Sequence, residues 1–191
     1  LNPDVLNPKD LQAVATVATI PTVLITQPEK YKTIQEFVGA AKANPGKLVC
    51  GGAGIGSATH MAFERFRFSA GIEQVLTVHT KGGGEAITEV LSGRADCYFA
   101  LVFQAKKMAD AGKVAALATS SPKRSNLMPD VPTLEEHGFQ NASYNFWVGG
   151  LEGITNDSVL VVAEIPGFLP DTMKVYVRRP VFELSSVPTT T

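Results

Sequence analysis

Gly54, Gly56, Ser57, Thr59 and His60 follow one another closely, just after the apolar run Leu48-Val49-Cys50. Apolar residues, then glycines, then hydroxyls and an amphipathic stretch read as strand, tight loop and helix N-terminus. The first turn of a helix has free main-chain N–H groups and a partial positive charge, which suits an anion. Glycines at 54 and 56 let the backbone approach a ligand closely. Ser57 is placed to cap the helix, and the Thr59 hydroxyl can point into the same pocket. The expected chemistry is recognition of a small anion, a carboxylate in the first instance.

A second glycine loop, Lys81-Gly82-Gly83-Gly84, follows the β-rich run Val75–His79, and Lys81 can attract the same kind of ligand. Catalytic arrangements fare less well. Gly52-Ala53-Gly54-Ile55-Gly56-Ser57 has Ser where a dinucleotide fingerprint needs its third Gly, and no acidic residue closes the next strand. Gly56-Ser57-Ala58 lacks the lysine of a phosphate-binding P-loop. There is no Gly-x-Ser-x-Gly elbow. Ser57, His60 and Glu64 could align as a Ser–His–Glu line, but a capping Ser and a packed or solvated His explain them better. Glu89 and Asp96 read as surface or loop-capping groups. His60, His79 and His137 are isolated, so no zinc spacing exists. No cofactor, metal or catalytic residue is expected, and the protein is read as a non-enzyme.

The elements that hold these loops can be traced along the chain. Leu11–Thr26, rich in Val, Ile, Ala and Thr and broken by Pro21, reads as one or two buried strands. Thr33-Ile34-Gln35-Glu36 is a capping box opening a helix that Asn44-Pro45-Gly46 stops. Helices are expected over 58–70, with Gly71 as C-cap, over a short segment ending at Ser92-Gly93, and over 105–111. Strands are expected at 48–50, 75–79, 95–102, 114–118 and 144–148. A second capping box, Thr133–Glu136, predicts a short helix ending at Gly138. Tyr144, Phe146 and Trp147 are taken to fill a core or a junction between lobes. Strand and helix alternate from Leu48 to Gly138, so the fold class is α/β with a mostly parallel sheet flanked by helices. Both glycine loops then leave strand carboxyl ends on one edge, where such sheets bind ligands.

Composition narrows the partners. A net charge of −1 over 191 residues, with Lys and Arg scattered, gives no case for nucleic acid or an anionic membrane. No apolar run reaches the roughly 20 residues of a membrane span. Leu1 is not an initiator Met and nothing beside it resembles a signal peptide, so the sequence is expected to be a mature product or a fragment. Cys50 and Cys97 sit in apolar strand-like runs and are expected as two buried thiols.

Several segments together resemble one family. Ala53–His60, His79-Thr80-Lys81-Gly82-Gly83, Gly93-Arg94-Ala95-Asp96, Ala111–Ser120, Pro129–Gly138 and Tyr144–Gly149 are similar, in order and spacing, to the Bug family. These are the periplasmic substrate-binding proteins of tripartite tricarboxylate transporters. The resemblance covers about residues 3–149. It implies a periplasmic-binding-protein-like fold of two lobes that close on a small organic acid, with the first lobe incomplete. Residues 1–21 would be a remnant of that lobe and a crossover, 22–145 the second lobe, and 146–191 the return crossover and a divergent C-terminal segment. By the same analogy Gly54, Gly56, Ser57, Ala58, Thr59 and His60 line the ligand, and Lys81, Gly82 and Gly83 form the neighbouring wall. Ala100 stands where many members carry a polar residue, often Asp, which favours a plain or aromatic acid over one with an amino group. The implied partners are a carboxylate and a membrane permease, for a periplasmic monomer.

Two departures accompany the resemblance. The family's N-terminal stretch, with its signal peptide and a further glycine loop, has no counterpart here. Leu151–Thr191 shows little helical periodicity, and a divergent tail, a frameshifted end or a fusion each fit it. Two other functions share parts of the pattern. The effector domain of a LysR-type regulator has the same two-lobed architecture, and a nucleotide-dependent enzyme would use the glycine loop.

Overall fold

The computed structural model describes residues 11–153, 159–163 and 174–177, with side chains over 18–146. The chain divides into two compact units. One is the unbroken stretch Ile20–Phe146; the other joins Leu1–Thr19 to Trp147–Thr191.

The unbroken unit is built on a five-stranded sheet. Strand β1 (Leu11–Ile20) belongs to the other unit's sheet, and Pro21 separates it from β2 (Thr22–Thr26), all of whose residues are buried. Helix α1 (Ile34–Ala43) starts at Thr33, whose side chain accepts from Glu36 N–H at 3.2 Å. The Glu36 carboxylate reaches back one residue further than a capping box requires and accepts from Lys32 N–H at 2.8 Å. After β3 (Val49–Gly52) comes α2 (Ala58–Ala70), capped by Ser57 and ended by Gly71 in the left-handed region (φ 63°). It buries Ala62, Phe63, Phe66 and Ala70, a stripe at helical spacing. Strand β4 (Leu76–His79), α3 (Gly83–Leu91), β5 (Cys97–Leu101), α4 (Val102–Asp110) and β6 (Ala115–Thr119) complete the unit.

The sheet order is β4-β3-β5-β2-β6. Strands β4, β3 and β5 run parallel, while β2 is antiparallel to both its neighbours. The sheet is therefore mixed, with β2 as its one reversed strand. One apolar cluster packs Val23, Ile25, Tyr98 and Ala100 against α3 and α4. Phe37, Phe66 and Phe99 form another, in which the Phe66 ring lies 6.4 Å from Phe37 and 6.0 Å from Phe99. Asp96 ties two loops to the sheet: its carboxylate accepts from Val49 N–H at 2.7 Å and pairs with Lys30.

Strand β7 (Phe146–Gly153), β8 (Val159–Ala163) and β9 (Lys174–Val177) form the second unit's four-stranded sheet with β1, in the order β1-β7-β8-β9. The pairs β7–β8 and β8–β9 are antiparallel, so the mostly parallel pattern holds only for the five-stranded sheet. The irregular chain expected over 1–10, the Trp147 side chain and the prolines beyond 163 lie outside the described residues.

Three local expectations need correction. Cys50 and Cys97 are joined as a disulfide rather than held as two thiols. They face each other directly in the β3–β5 register, with Cα atoms 4.7 Å apart, within the usual range for a bridge. The helix expected from 105 begins at Val102, whose N–H still donates to Pro21 O at 2.9 Å in continuation of the β2–β5 register. Residues 134–138 make a turn and not a helix. Their capping box still closes, with Thr133 N–H donating to Glu136 at 2.6 Å and Glu136 N–H to Thr133 at 3.0 Å. Arg124, followed by the Thr133 N–H, holds the Glu136 carboxyl below its ordinary range.

The chain enters and leaves the unit over a buried hydroxyl cluster. Thr22 and Ser120 hydroxyls lie 2.7 Å apart, and Ser120 donates to Tyr144 O at 3.0 Å. Tyr144 itself is buried, and desolvation pushes its phenol up to about 12, with Arg65 opposing the shift. Since free tyrosine ionises near 10, the unfolded chain loses this proton first. The stabilisation is complete below pH 10 and is lost as pH rises through about 12. Urea midpoints should fall across that window, and the fall should be smaller in Tyr144→Phe. An equal fall in both proteins would remove Tyr144 as a cause.

Candidate functional site

Strands β3, β4 and β5 are parallel, and each feeds directly into a helix. The N-termini of α2, α3 and α4 therefore lie along one sheet edge. Between β3 and α2 the backbone turns through Gly54 (φ 111°) and Gly56 (φ 71°), conformations that a side chain at either position would strain. Ser57 accepts from His60 N–H at 3.3 Å, which satisfies one donor of the first turn. Helices α3 and α4 begin at Gly82 and Leu101 without any side-chain cap. Apart from Val102 N–H, which donates to Pro21 O, their first-turn N–H groups have no side-chain cap.

The two glycine loops are held together. Thr80 N–H donates to Gly52 O at 2.7 Å, and its hydroxyl lies 3.2 Å from Gly52 O and 2.9 Å from Gly82 O. The His60 and His79 rings meet edge to face at 4.6 Å. Gly52 leaves the room that His79 needs: a Cβ there would come 3.0 Å from His79 Nδ1.

Each expected residue has a definite place. Gly54, Gly56, Ser57 and Ala58 lie half-buried on the first loop and the start of α2. Thr59 is buried; its oxygen accepts from Ala53 N–H at 3.4 Å and lies 3.1 Å from the Ser57 hydroxyl. His60 Nδ1 accepts from Gly56 N–H at 2.9 Å, and Nε2 lies 3.4 Å from Glu64. Ser57 bonds the His60 main chain and not its ring, so the Ser–His–Glu line is not formed. Glu64 is also paired with Arg67. Gly82 and Gly83 open α3, and Lys81 is exposed, its N–H donating to Glu85 at 3.0 Å. No ion pair engages the Lys81 ammonium among the described residues. Ala100 is set apart from the others, fully buried in the strand core.

Two residues went unnoticed in the sequence. Tyr98 and Gln104 both reach Gly83, where an added Cβ would come 2.9 Å from the Tyr98 hydroxyl and 3.5 Å from Gln104 Oε1. Burial raises the Tyr98 phenol above its ordinary value, with Thr59 opposing the shift. A lone phenol in the apolar run Cys97–Val102 was the available signal.

Solved structures share the fold. R. palustris Rpa4515 with adipate superposes with a TM-score of 0.69 at 21% identity, over 87% of this chain and 52% of that one. MatC from Rhodopseudomonas palustris with bound malate gives 0.69 at 24%, over 80% and 52%. The periplasmic binding protein BugD gives 0.67 at 26%, over 75% and 48%. The fold class is thus periplasmic-binding-protein-like, as the motif series implied.

Sequence comparison agrees. A UPF0065 protein from the tcbD-tcbE intergenic region of Pseudomonas sp. (strain P51) is 32% identical over 129 residues, 67% of this chain and 38% of that protein. BugT of Bordetella pertussis is 27% identical over 155 residues, 81% and 47%. The tripartite tricarboxylate transporter family receptor model matches residues 5–182, and the chain belongs to that family. The match runs well beyond Gly149, where the motif resemblance ends. The chain spans less than half the length of these two curated relatives.

Proposed function

We propose that this chain is part of a periplasmic solute-binding protein that captures a small organic acid and delivers it to a membrane permease. The observation that carries the reading is the meeting of three helix N-termini on one sheet edge, two of them without side-chain caps. A carboxylate there can accept several main-chain N–H bonds, and Ser57 and Lys81 add charge-assisted partners. The adipate- and malate-bound neighbours support a carboxylate ligand. Family membership favours this reading over a regulator's effector domain or a nucleotide-dependent enzyme. A disulfide is at home in an oxidising compartment such as the periplasm. Ile55 and Phe103 stand 78% and 53% exposed at the same edge. Their exposure favours an acid with an apolar body.

Calorimetry with acetate, malate, adipate and benzoate tests the proposal. The expected result is binding of at least one acid, with adipate or benzoate tighter than malate. Ser57→Ala should weaken the tightest of them about ten- to hundredfold, the range for a hydrogen bond to a charged group. It should cost stability only about 1 kcal/mol through the lost cap. No binding of any acid would overturn the reading, and unaltered affinity in Ser57→Ala would move the site elsewhere.

A further inference from the structure

Two main-chain donors of the loop between β3 and α2 are tied back to side chains of the helix it feeds. Ala53 N–H reaches Thr59 Oγ1 at 3.4 Å, and Gly56 N–H reaches His60 Nδ1 at 2.9 Å. The second bond is the shorter, and it defines the state of the ring. A ring nitrogen that accepts carries no proton, so the imidazole making this bond is neutral, with its proton on Nε2. Nε2 lies 3.4 Å from Glu64, and the ring meets His79 of β4 edge to face. The same bond bears on which donors the start of α2 can offer. From Gly56 to Met61, His60 Nδ1 takes the Gly56 N–H, Gly54 O the Ser57 N–H at 3.2 Å, Ser57 Oγ the His60 N–H at 3.3 Å and Ser57 O the Met61 N–H at 2.9 Å. The N–H groups of Ala58 and Thr59 are left without a hydrogen bond among the described residues. Two successive N–H groups at a helix start suit the two oxygens of a carboxylate.

We propose that His60 is a positioning residue for the carboxylate site: its Nδ1 latches the Gly56 N–H and so fixes the loop immediately ahead of the Ala58 and Thr59 donors. The inference rests on the carboxylate reading given above. It revises the part expected of His60, which in this scheme holds the loop from the helix side and touches no ligand. The need for a latch comes from Gly56 itself, which sits at φ 71° and has no Cβ to restrain its peptide. A loop already fixed in the free protein has less conformational freedom to lose when the acid arrives.

The test begins without ligand, in a ring-nitrogen NMR spectrum of the whole isotope-labelled chain, recorded well above the ordinary histidine pKa of about 6.5. His60 should show a bare Nδ1 and a protonated Nε2, and a proton on Nδ1 would overturn the latch. This measurement needs no variant, which keeps the test decisive should a substitution fold poorly. Affinity is then read by calorimetry, using whichever of acetate, malate, adipate and benzoate the chain binds tightest. His60→Asn sets its Oδ1 where Nδ1 stood and keeps an acceptor for Gly56, whereas His60→Phe keeps a ring beside His79 and loses the acceptor. His60→Phe should weaken binding about two- to tenfold, the range for one hydrogen bond, and His60→Asn should stay within about twofold of the wild type. The reverse order would show that packing on His79 is what matters and overturn the latch. Equal weakening by both would set the ring against the ligand and overturn it too, as would unaltered affinity in both. The expected ring state with no acid bound, or with Ser57→Ala binding as tightly as the wild type, would overturn the carboxylate site itself, and the positioning role with it.

Discussion

Replacing Phe66 by Ala should lower the stability of the protein by about 3–5 kcal/mol, the range for emptying a buried phenylalanine site. Phe66 has no exposed surface and is central to the stripe that docks α2. Its ring contacts Phe37 of α1, Phe99 of β5 and, at 5.3 Å, Phe139 of the loop after β6. One side chain thus joins two helices, the sheet and a loop, and no single neighbour can relax enough to fill the gap. Phe68, two residues further along the same helix, is 79% exposed. Phe68→Ala should change stability by no more than about 0.5 kcal/mol. Urea denaturation of both variants measures the contrast. A cost below about 1 kcal/mol for Phe66→Ala would mean that α2 is not docked on this stripe.

Removing the Cys50–Cys97 bridge should be the other large loss, about 2–4 kcal/mol. The bridge spans 47 residues of sequence, enclosing α2, β4 and α3. Chain entropy alone assigns a loop of this size a value near the top of that range. The bond also crosses directly from β3 to β5, so it fixes the parallel register from which the first glycine loop departs. Reduction by a thiol, or the pair of substitutions Cys50→Ala and Cys97→Ala, should lower the urea midpoint and leave the two states indistinguishable from each other. A midpoint indifferent to reductant would show that the cysteines are not bonded.

These two predictions also mark what a reader of the sequence can and cannot see. The Phe66 stripe is legible because helical periodicity is local: Phe63, Phe66 and Ala70 repeat at the required spacing, and Ser57 and Gly71 mark the ends. The bridge is not legible, because nothing local shows that β3 pairs with β5 in a register that sets Cys50 opposite Cys97. The position of β2 is hidden for the same reason. Its apolar run announces a buried strand, but only tertiary packing places it, reversed, between β5 and β6. At 133–138 the capping box is real, yet Pro132 and Gly138 leave too short a span for a helix to propagate. At the site, Ser57 as the α2 cap follows from residue type alone. Tyr98 does not, since an apolar run gives no hint that its phenol reaches Gly83.

The interleaving of the two units carries a consequence for how the polypeptide is made. Strands β1 and β7 belong to one unit, with the whole of Ile20–Phe146 between them in sequence. During synthesis β1 emerges well before β7, the neighbour it pairs with among the described strands. Joining them closes a very long loop, and closure entropy grows with the length of flexible chain. An insert that has already folded replaces that flexible length with a compact body and shortens the effective loop. The β1–β7 pairing is thereby favoured once the five-stranded sheet has formed, and a lesion such as Phe66→Ala should delay residues it never touches.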